Sequence, residues 1–139
     1  MSNLFFETTT KEQREIFEKL PNMEPKGTLG GGTAIALQIG HRRSVDLDVL
    51  LDYEIPRKLA GKVNSALPNF KIVPIVDNLD ELTFTVGNTK LTFVRYPFPP
   101  LHKTVKTSGL PLFSLPDLAS NKAYTIGRRG SYKDYVDIY

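Results

Sequence analysis

The stretch "SVDLDVLLD", residues 44–52, constrains the fold of this chain more than any other part of it. Successive side chains of a strand point to opposite faces, so Asp46 and Asp48 share one face. The opposite face carries Val45, Leu47, Val49 and Leu51. This alternation predicts a β-strand that buries its apolar face in a core and keeps an acidic face accessible to water.

The acidic face predicts a metal site. Along a strand, Asp46 and Asp48 have Cα atoms about 6 to 7 Å apart and point the same way. Two such carboxylates can share a hard divalent ion such as Mg²⁺, whose shell is completed by water and by substrate phosphates. Ions held in this way stabilise the attacking and leaving oxygens of nucleotidyl transfer. The alternative is a solvent-facing strand that carries two acids without a ligand.

A glycine run precedes this strand in "LGGGTAIALQIG", residues 29–40. Gly31 and Gly32 allow backbone amides to approach a phosphate, and the following helix start offers unpaired N–H groups. We expect Thr33 to cap the helix and to donate to a phosphate oxygen. Arg43 and Ser44, just before the acids, are further candidates for holding phosphates. A plain tight turn and a solvated basic loop are the alternatives.

Patterns elsewhere predict further elements. "TTTKEQREIFEKLPN" is typical of a helix with a capping box from Thr9 to Glu12 and an end at Pro21. "PRKLAGKVNSAL" predicts another helix, and "FKIVPIV" a strand that Pro74 confines to an edge or a bulge. "ELTFTV" and "KLTFVRY", joined by "GNT", predict a β-hairpin. A proline-punctuated loop and two C-terminal helices follow, the first capped by Ser114 with Asp117.

The second C-terminal helix contains candidate site residues. Asp134 has capping-box spacing from Ser131, and Asp137 shares its side of the helix. Either acid could complete a metal site. In the preceding helix, Lys122 and Arg129 lie within about 40° of Leu118 on the inward stripe at 100° per residue. Lys122 either extends to the surface or binds an anion such as a triphosphate.

Composition narrows the class of protein. A length of 139 residues fits one domain, residues 1–139, and the element order favours a mixed α/β or α+β fold around a small sheet. The absence of cysteine excludes disulfides and thiolate sites, and two histidines make a histidine-rich metal site unfavourable. Apolar runs are too short for a membrane span, and the N-terminus lacks signal-peptide character. We therefore expect a cytoplasmic protein without membrane contact.

Two blocks carry a resemblance to a known family. "GGT" followed by "DLD" is similar to the G-[GS]-[ST] and D-x-D signature of the DNA-polymerase-β-like nucleotidyltransferase superfamily. The longer "GGTAIALQIGHRRSVDLDVLL", with "NKAYTIGRRGSYKDYVDIY", resembles the AbiE-type (AbiEii-like) nucleotidyltransferases, which are toxins of type IV abortive-infection systems. A lysine at the place of Lys122 is part of that pattern.

The resemblance implies a minimal nucleotidyltransferase fold, in which helices flank a small mixed β-sheet. It implies Mg²⁺ or Mn²⁺ as cofactor, a nucleoside triphosphate as donor, an RNA such as tRNA as acceptor, and a cognate antitoxin as partner. Many members of the superfamily have a third carboxylate on a later strand, and the chain departs from them there. Thr92 and Val94 occupy the matching strand, whereas Asp80 and Glu81 precede it. It also ends at Tyr139, where family members continue with helices that we expect to contribute to acceptor recognition.

Two rival functions stay open. One is a nucleotidyltransferase-fold protein with weak or no catalysis that binds a nucleotide or a partner protein. The other is a transferase that modifies a small molecule such as an antibiotic, although the closing "KDYVDIY" block disfavours it.

Overall fold

The computed structural model describes residues 4–40, 46–98 and 100–119. A five-stranded mixed sheet forms its centre, with strand order β1-β2-β5-β4-β3. The strands are β1 (Thr28–Gly30), β2 (Asp46–Leu51), β3 (Ile72–Asp77), β4 (Glu81–Val86) and β5 (Thr89–Arg95). The helices are α1 (Lys11–Met23), α2 (Gly31–Ile39) and α3 (Leu59–Ala66), and a 3-10 turn at Phe6–Thr8 precedes them. The predicted mixed α/β fold is confirmed.

The acidic strand lies inside the sheet. Its neighbours are β1, which runs antiparallel to it, and β5, which runs parallel. Leu47, Val49 and Leu51 are fully buried, as the alternation predicts. They belong to one hydrophobic core with apolar side chains of α1, α2, α3, β4 and β5. Each large side chain buried in this way contributes about 1.5 to 3 kcal/mol, so the core fixes which face of β2 is left for the acids.

Helix α1 begins one residue later and ends two residues later than predicted. Thr10 and Gln13 form the capping box, because the Thr9 hydroxyl donates instead to the carbonyl of Phe6 in the preceding turn. The helix continues through Pro21 to Met23, which is fully buried. Burial of the last turn against the core offsets the backbone hydrogen bond that proline cannot make.

The β4–β5 hairpin is confirmed, with Gly87 in the left-handed region at φ 59°. A carboxylate of α1 holds its turn: Glu12 Oε1 accepts hydrogen bonds from Asn88 N at 2.9 Å and from Thr89 Oγ1 at 2.8 Å. Strand β3 lies at the sheet edge with an irregular register between Pro74 and Val76, as predicted. The hairpin therefore positions β5 firmly beside β2.

Single β-bridges continue the sheet beyond β1, from Leu29 to Leu112 and from Leu112 to Val105. A helical turn follows at 115–119. The helix begins directly after Ser114, and the Ser114 hydroxyl lies 3.5 Å from Oδ2 of Asp117, in line with the predicted pairing of these two residues. The Asp117 carboxylate also accepts hydrogen bonds from the backbone N–H groups of Leu101 and His102. Among the described residues, no helix is long and apolar enough to cross a membrane.

Candidate functional site

Asp46 and Asp48 lie on one face of β2 and are half-buried. The sheet register aligns Asp48 with Gly30 of β1 on one side and with Thr92 of β5 on the other. Asp46 is aligned with Lys90, an exposed residue near the start of β5. The two carboxylates are therefore flanked by the glycine run on one side and by polar side chains of β5 on the other.

The glycine run approaches the acids at Gly31. This residue has φ +68°, a left-handed conformation that side chains disfavour. A Cβ built on Gly31 would collide with Oδ2 of Asp48 and would lie 3.1 Å from its Cγ. The backbone at the start of α2 thus packs directly against the Asp48 carboxylate, and no residue larger than glycine fits between them. The predicted juxtaposition of glycine run and acidic strand is present in the fold.

Thr33 has a different place from the predicted one. Helix α2 begins at Gly31, with Gly30 as its N-cap, so Thr33 is the third residue of the helix. Its buried hydroxyl donates a hydrogen bond to the backbone carbonyl of Asp46. The capping prediction is wrong because the glycine run itself enters the helix. The hydroxyl ties α2 to the first residue of the acidic strand, while phosphate binding by Thr33 stays a prediction.

The start of α2 offers backbone N–H groups that suit an anion. The first N–H groups of a helix have no partner within the helix, and the macrodipole gives this end a partial positive charge. These groups belong to Gly31, Gly32 and Thr33. With the Asp48 carboxylate against Gly31, an anion and a cation could bind side by side, as a metal triphosphate requires.

A row of polar side chains continues from Asp48 across the sheet. Thr92 of β5 is aligned with Thr83 of β4, and both side chains are buried. The Thr83 hydroxyl donates to Oε2 of Glu81 at 2.7 Å and lies 3.2 Å from the Thr92 hydroxyl. Glu81 is the first residue of β4, as in the predicted strand "ELTFTV". The signal for this row was the repeated "LTF" in both hairpin strands, which places matching threonines opposite each other.

Six of the predicted site residues lie outside the described residues, so their roles stay predictions. They are Arg43, Ser44, Lys122, Arg129, Asp134 and Asp137.

Asp46 and Asp48 fit a hard divalent cation by their chemistry, because carboxylate oxygens are the ligands that Mg²⁺ prefers. Two carboxylates with substrate phosphates and water suffice for such an ion. Across the described ranges, no group of three or more acidic, histidine or cysteine side chains is arranged to hold a metal on its own.

Comparisons place this fold among nucleotidyltransferases. JHP933 from Helicobacter pylori superposes with a TM-score of 0.60 at 24% sequence identity, over 81% of this chain and 53% of that one. The antibiotic-resistance factor ANT(2'')-Ia, a nucleotidyltransferase, superposes with a TM-score of 0.60 at 13% identity, over 91% of this chain and 80% of that one. The latter protein has also been solved with adenylyl-2''-tobramycin. The chain has the nucleotidyltransferase fold.

A sequence relative is longer than this chain and has no assigned activity. The uncharacterized protein aq_aa25 of Aquifex aeolicus (strain VF5) is 32% identical over 133 residues, which are 93% of this chain and 65% of that protein. The chain thus spans less than two thirds of this relative and about half of JHP933. No family model matches the chain.

Proposed function

We propose that this chain is the nucleotidyltransferase domain of an enzyme that transfers a nucleotide from a nucleoside triphosphate to an acceptor. The observation that carries the proposal is the contact between Gly31 and the Asp48 carboxylate, which joins an anion-binding helix start to an acid pair. A fold shared with ANT(2'')-Ia supports it. Many folds host an Asp-x-Asp strand, but in this one the acid lies against the start of a helix, which is a favourable place for an anion.

Asp46 and Asp48 would hold Mg²⁺ or Mn²⁺. When bound, the ion neutralises phosphate charge and polarises the reacting phosphorus centre. Residues of the chain bind and orient the triphosphate. Backbone N–H groups of Gly31, Gly32 and Thr33 orient the triphosphate, and the Thr33 hydroxyl keeps α2 in place against Asp46. Lys122 and Arg129, with Arg43 and Ser44, are the proposed further phosphate ligands, and Asp134 or Asp137 a proposed third carboxylate.

The acceptor in this proposal is an RNA such as tRNA, and the biological role is that of an AbiE-type toxin with a cognate antitoxin. The two AbiE-like sequence blocks are the support for both. The mild net charge of +3 is compatible with an RNA partner. A small-molecule acceptor is the second candidate, favoured by the likeness to ANT(2'')-Ia over 91% of this chain.

The test incubates the purified chain with Mg²⁺, each α-labelled nucleoside triphosphate in turn, and total tRNA, and follows label on a denaturing gel. Asp48→Asn should reduce transfer at least about a hundredfold, since a metal ligand supplies several kcal/mol of transition-state stabilisation. Asp52→Asn is the matched control, because Asp52 is an exposed acid that follows the same strand. It should leave transfer unchanged.

Other outcomes assign other functions. A parallel reaction contains an aminoglycoside in place of tRNA, and label on the aminoglycoside but not on RNA would replace the RNA acceptor with a small molecule. Triphosphate binding that depends on Asp48 without transfer to either acceptor would identify a nucleotide-binding protein. Equal transfer by the parent and by both the Asp46→Asn and Asp48→Asn variants would refute the site.

A further inference from the structure

The basic residues of this chain are unevenly distributed. From residue 55 to residue 76 the sequence has four basic residues and no acidic one. The four are Arg57, Lys58, Lys62 and Lys71. The rest of the chain has the other 14 of the 18 basic residues and all 15 acidic ones, so its net charge is −1. The positive net charge of the protein therefore comes from this segment, which contains α3.

The fold presents these cations to solvent. All four residues are exposed, and none of them forms an ion pair in the described part of the chain. Lys58 and Lys62 lie one turn apart, about 6 Å along the axis of α3, and so share one side of the helix. Leu59 and Val63 anchor the other side in the core. The cations are therefore held on a rigid element without a carboxylate to neutralise them.

Neutral polar groups accompany the cations. Asn64, Ser65 and Asn69 are exposed on α3 and on the loop after it. None of the large exposed apolar side chains of the described ranges lies between residues 56 and 71. A protein interface has an apolar core, and a helix bound to a membrane surface inserts apolar side chains. A surface of cations, amides and hydroxyls fits instead a partner rich in phosphates and hydroxyls, which is the chemistry of an RNA backbone.

We propose that the α3 basic surface, formed by Lys58 and Lys62 and flanked by Arg57 and Lys71, docks the phosphate backbone of RNA. Contacts to phosphates carry no base information, so this binding is independent of RNA sequence. The surface is separate from the acid pair, because α3 packs into the core that covers the opposite face of β2. Its place in the reaction, holding the acceptor, rests on the proposed function, but RNA binding itself is measured without transfer.

The test measures binding of fluorescently labelled tRNA by anisotropy over a range of salt concentrations, without divalent ion or nucleotide. Lys58→Gln combined with Lys62→Gln should reduce the slope of log affinity against log salt by about 1.4 to 1.8, because each phosphate contact contributes about 0.7 to 0.9. Affinity at about 100 mM salt should fall at least about tenfold. The matched control combines Lys11→Gln with Lys19→Gln, which removes the same charge from exposed positions of α1. It should change the slope much less, because the exposed side of α1 also carries acids.

Three outcomes overturn the proposal. The first is a slope like that of the parent in the variant without Lys58 and Lys62, or an equal decrease in the α1 control. The second is equally tight binding of DNA with the same base sequence, which would remove the assignment to RNA. The third is binding to vesicles of phosphatidylcholine and phosphatidylserine that depends on the two lysines while tRNA binding does not, which would assign the surface to a membrane.

Failure of this inference is distinguishable from failure of the proposed function. The variant without Lys58 and Lys62 should bind Mn²⁺ and triphosphate like the parent, whereas Asp48→Asn should lose transfer and keep at least the parent affinity for tRNA. If Asp48→Asn abolishes transfer while removal of the two lysines leaves tRNA binding unchanged, the transferase stands and the docking surface is wrong. If tRNA binding needs the two lysines while Asp48→Asn transfers normally, the surface stands and the acid site is wrong. Circular dichroism melting curves establish that each variant is folded.

Discussion

Replacing Gly31 by alanine tests the effect of the site on ligand binding separately from its effect on the stability of the fold. At φ +68° an alanine costs about 1 to 2 kcal/mol of backbone strain, offset in part by about 0.5 to 1 kcal/mol from the lower entropy of the unfolded chain. Backbone terms alone therefore predict a loss of about 1 kcal/mol. The new Cβ also collides with Oδ2 of Asp48, so either α2 or the carboxylate must shift.

A shift of the carboxylate predicts a functional loss larger than the loss of stability. We expect Gly31→Ala to lower the melting temperature by only about 2 to 5 °C while weakening Mn²⁺ binding and triphosphate binding at least about tenfold. Thermal melting measures the first effect, and titration with Mn²⁺ and with a nucleoside triphosphate measures the second.

Two other glycines provide matched controls. Gly87 has a similar φ of +59°, and its Cβ would collide with Glu12 in the hairpin turn. Gly87→Ala should therefore destabilise the fold without weakening ligand binding. Gly61 lies in α3 with open space around its Cβ, so Gly61→Ala should stabilise by up to about 1 kcal/mol. Normal ligand binding by Gly31→Ala, or an equal loss of binding in Gly87→Ala, would refute the contact between Gly31 and Asp48 as the organising feature of the site.

Three further perturbations follow from the structure. Thr33→Val should destabilise by about 1 to 2 kcal/mol, because the Asp46 carbonyl loses its donor, whereas Thr33→Ser should keep most of the stability in urea unfolding. Glu12→Ala should cost about 1 to 2 kcal/mol through the hairpin turn, while the exposed Glu15→Ala should cost little. Burial raises the pKa of Asp117, but hydrogen bonds from His102 and Leu101 outweigh burial and hold that pKa below its usual value. The stabilisation is therefore present at neutral pH and lost as acid protonates the group below about pH 4, so melting curves of the parent and of Asp117→Asn should converge there.

Local patterns predicted most elements of the described fold because their signals lie within a few residues. The alternation around Asp46 defines β2 on its own, and Gly40 ends α2 in the left-handed conformation expected of a helix terminator. Pro74 is confined to the edge strand because it cannot donate to a neighbour. Helix starts were less predictable. Threonines at 8, 9 and 10 all have a hydroxyl suited to capping, and contacts of the preceding turn decide that Thr10 caps α1.

The parts of the site that depend on strand order were not predictable from one sequence. Only the short helix α2 separates Gly31 from the strand of Asp48, so the order of these elements already suggests that the two residues meet. The partner of Asp48 on its other side depends on whether β5 or another strand lies next to β2, and on a parallel register that no local motif fixes. That register places Thr92 beside Asp48, and from there the polar row continues through Thr83 to Glu81 on the next strand. The row is therefore a consequence of strand order rather than of any one segment.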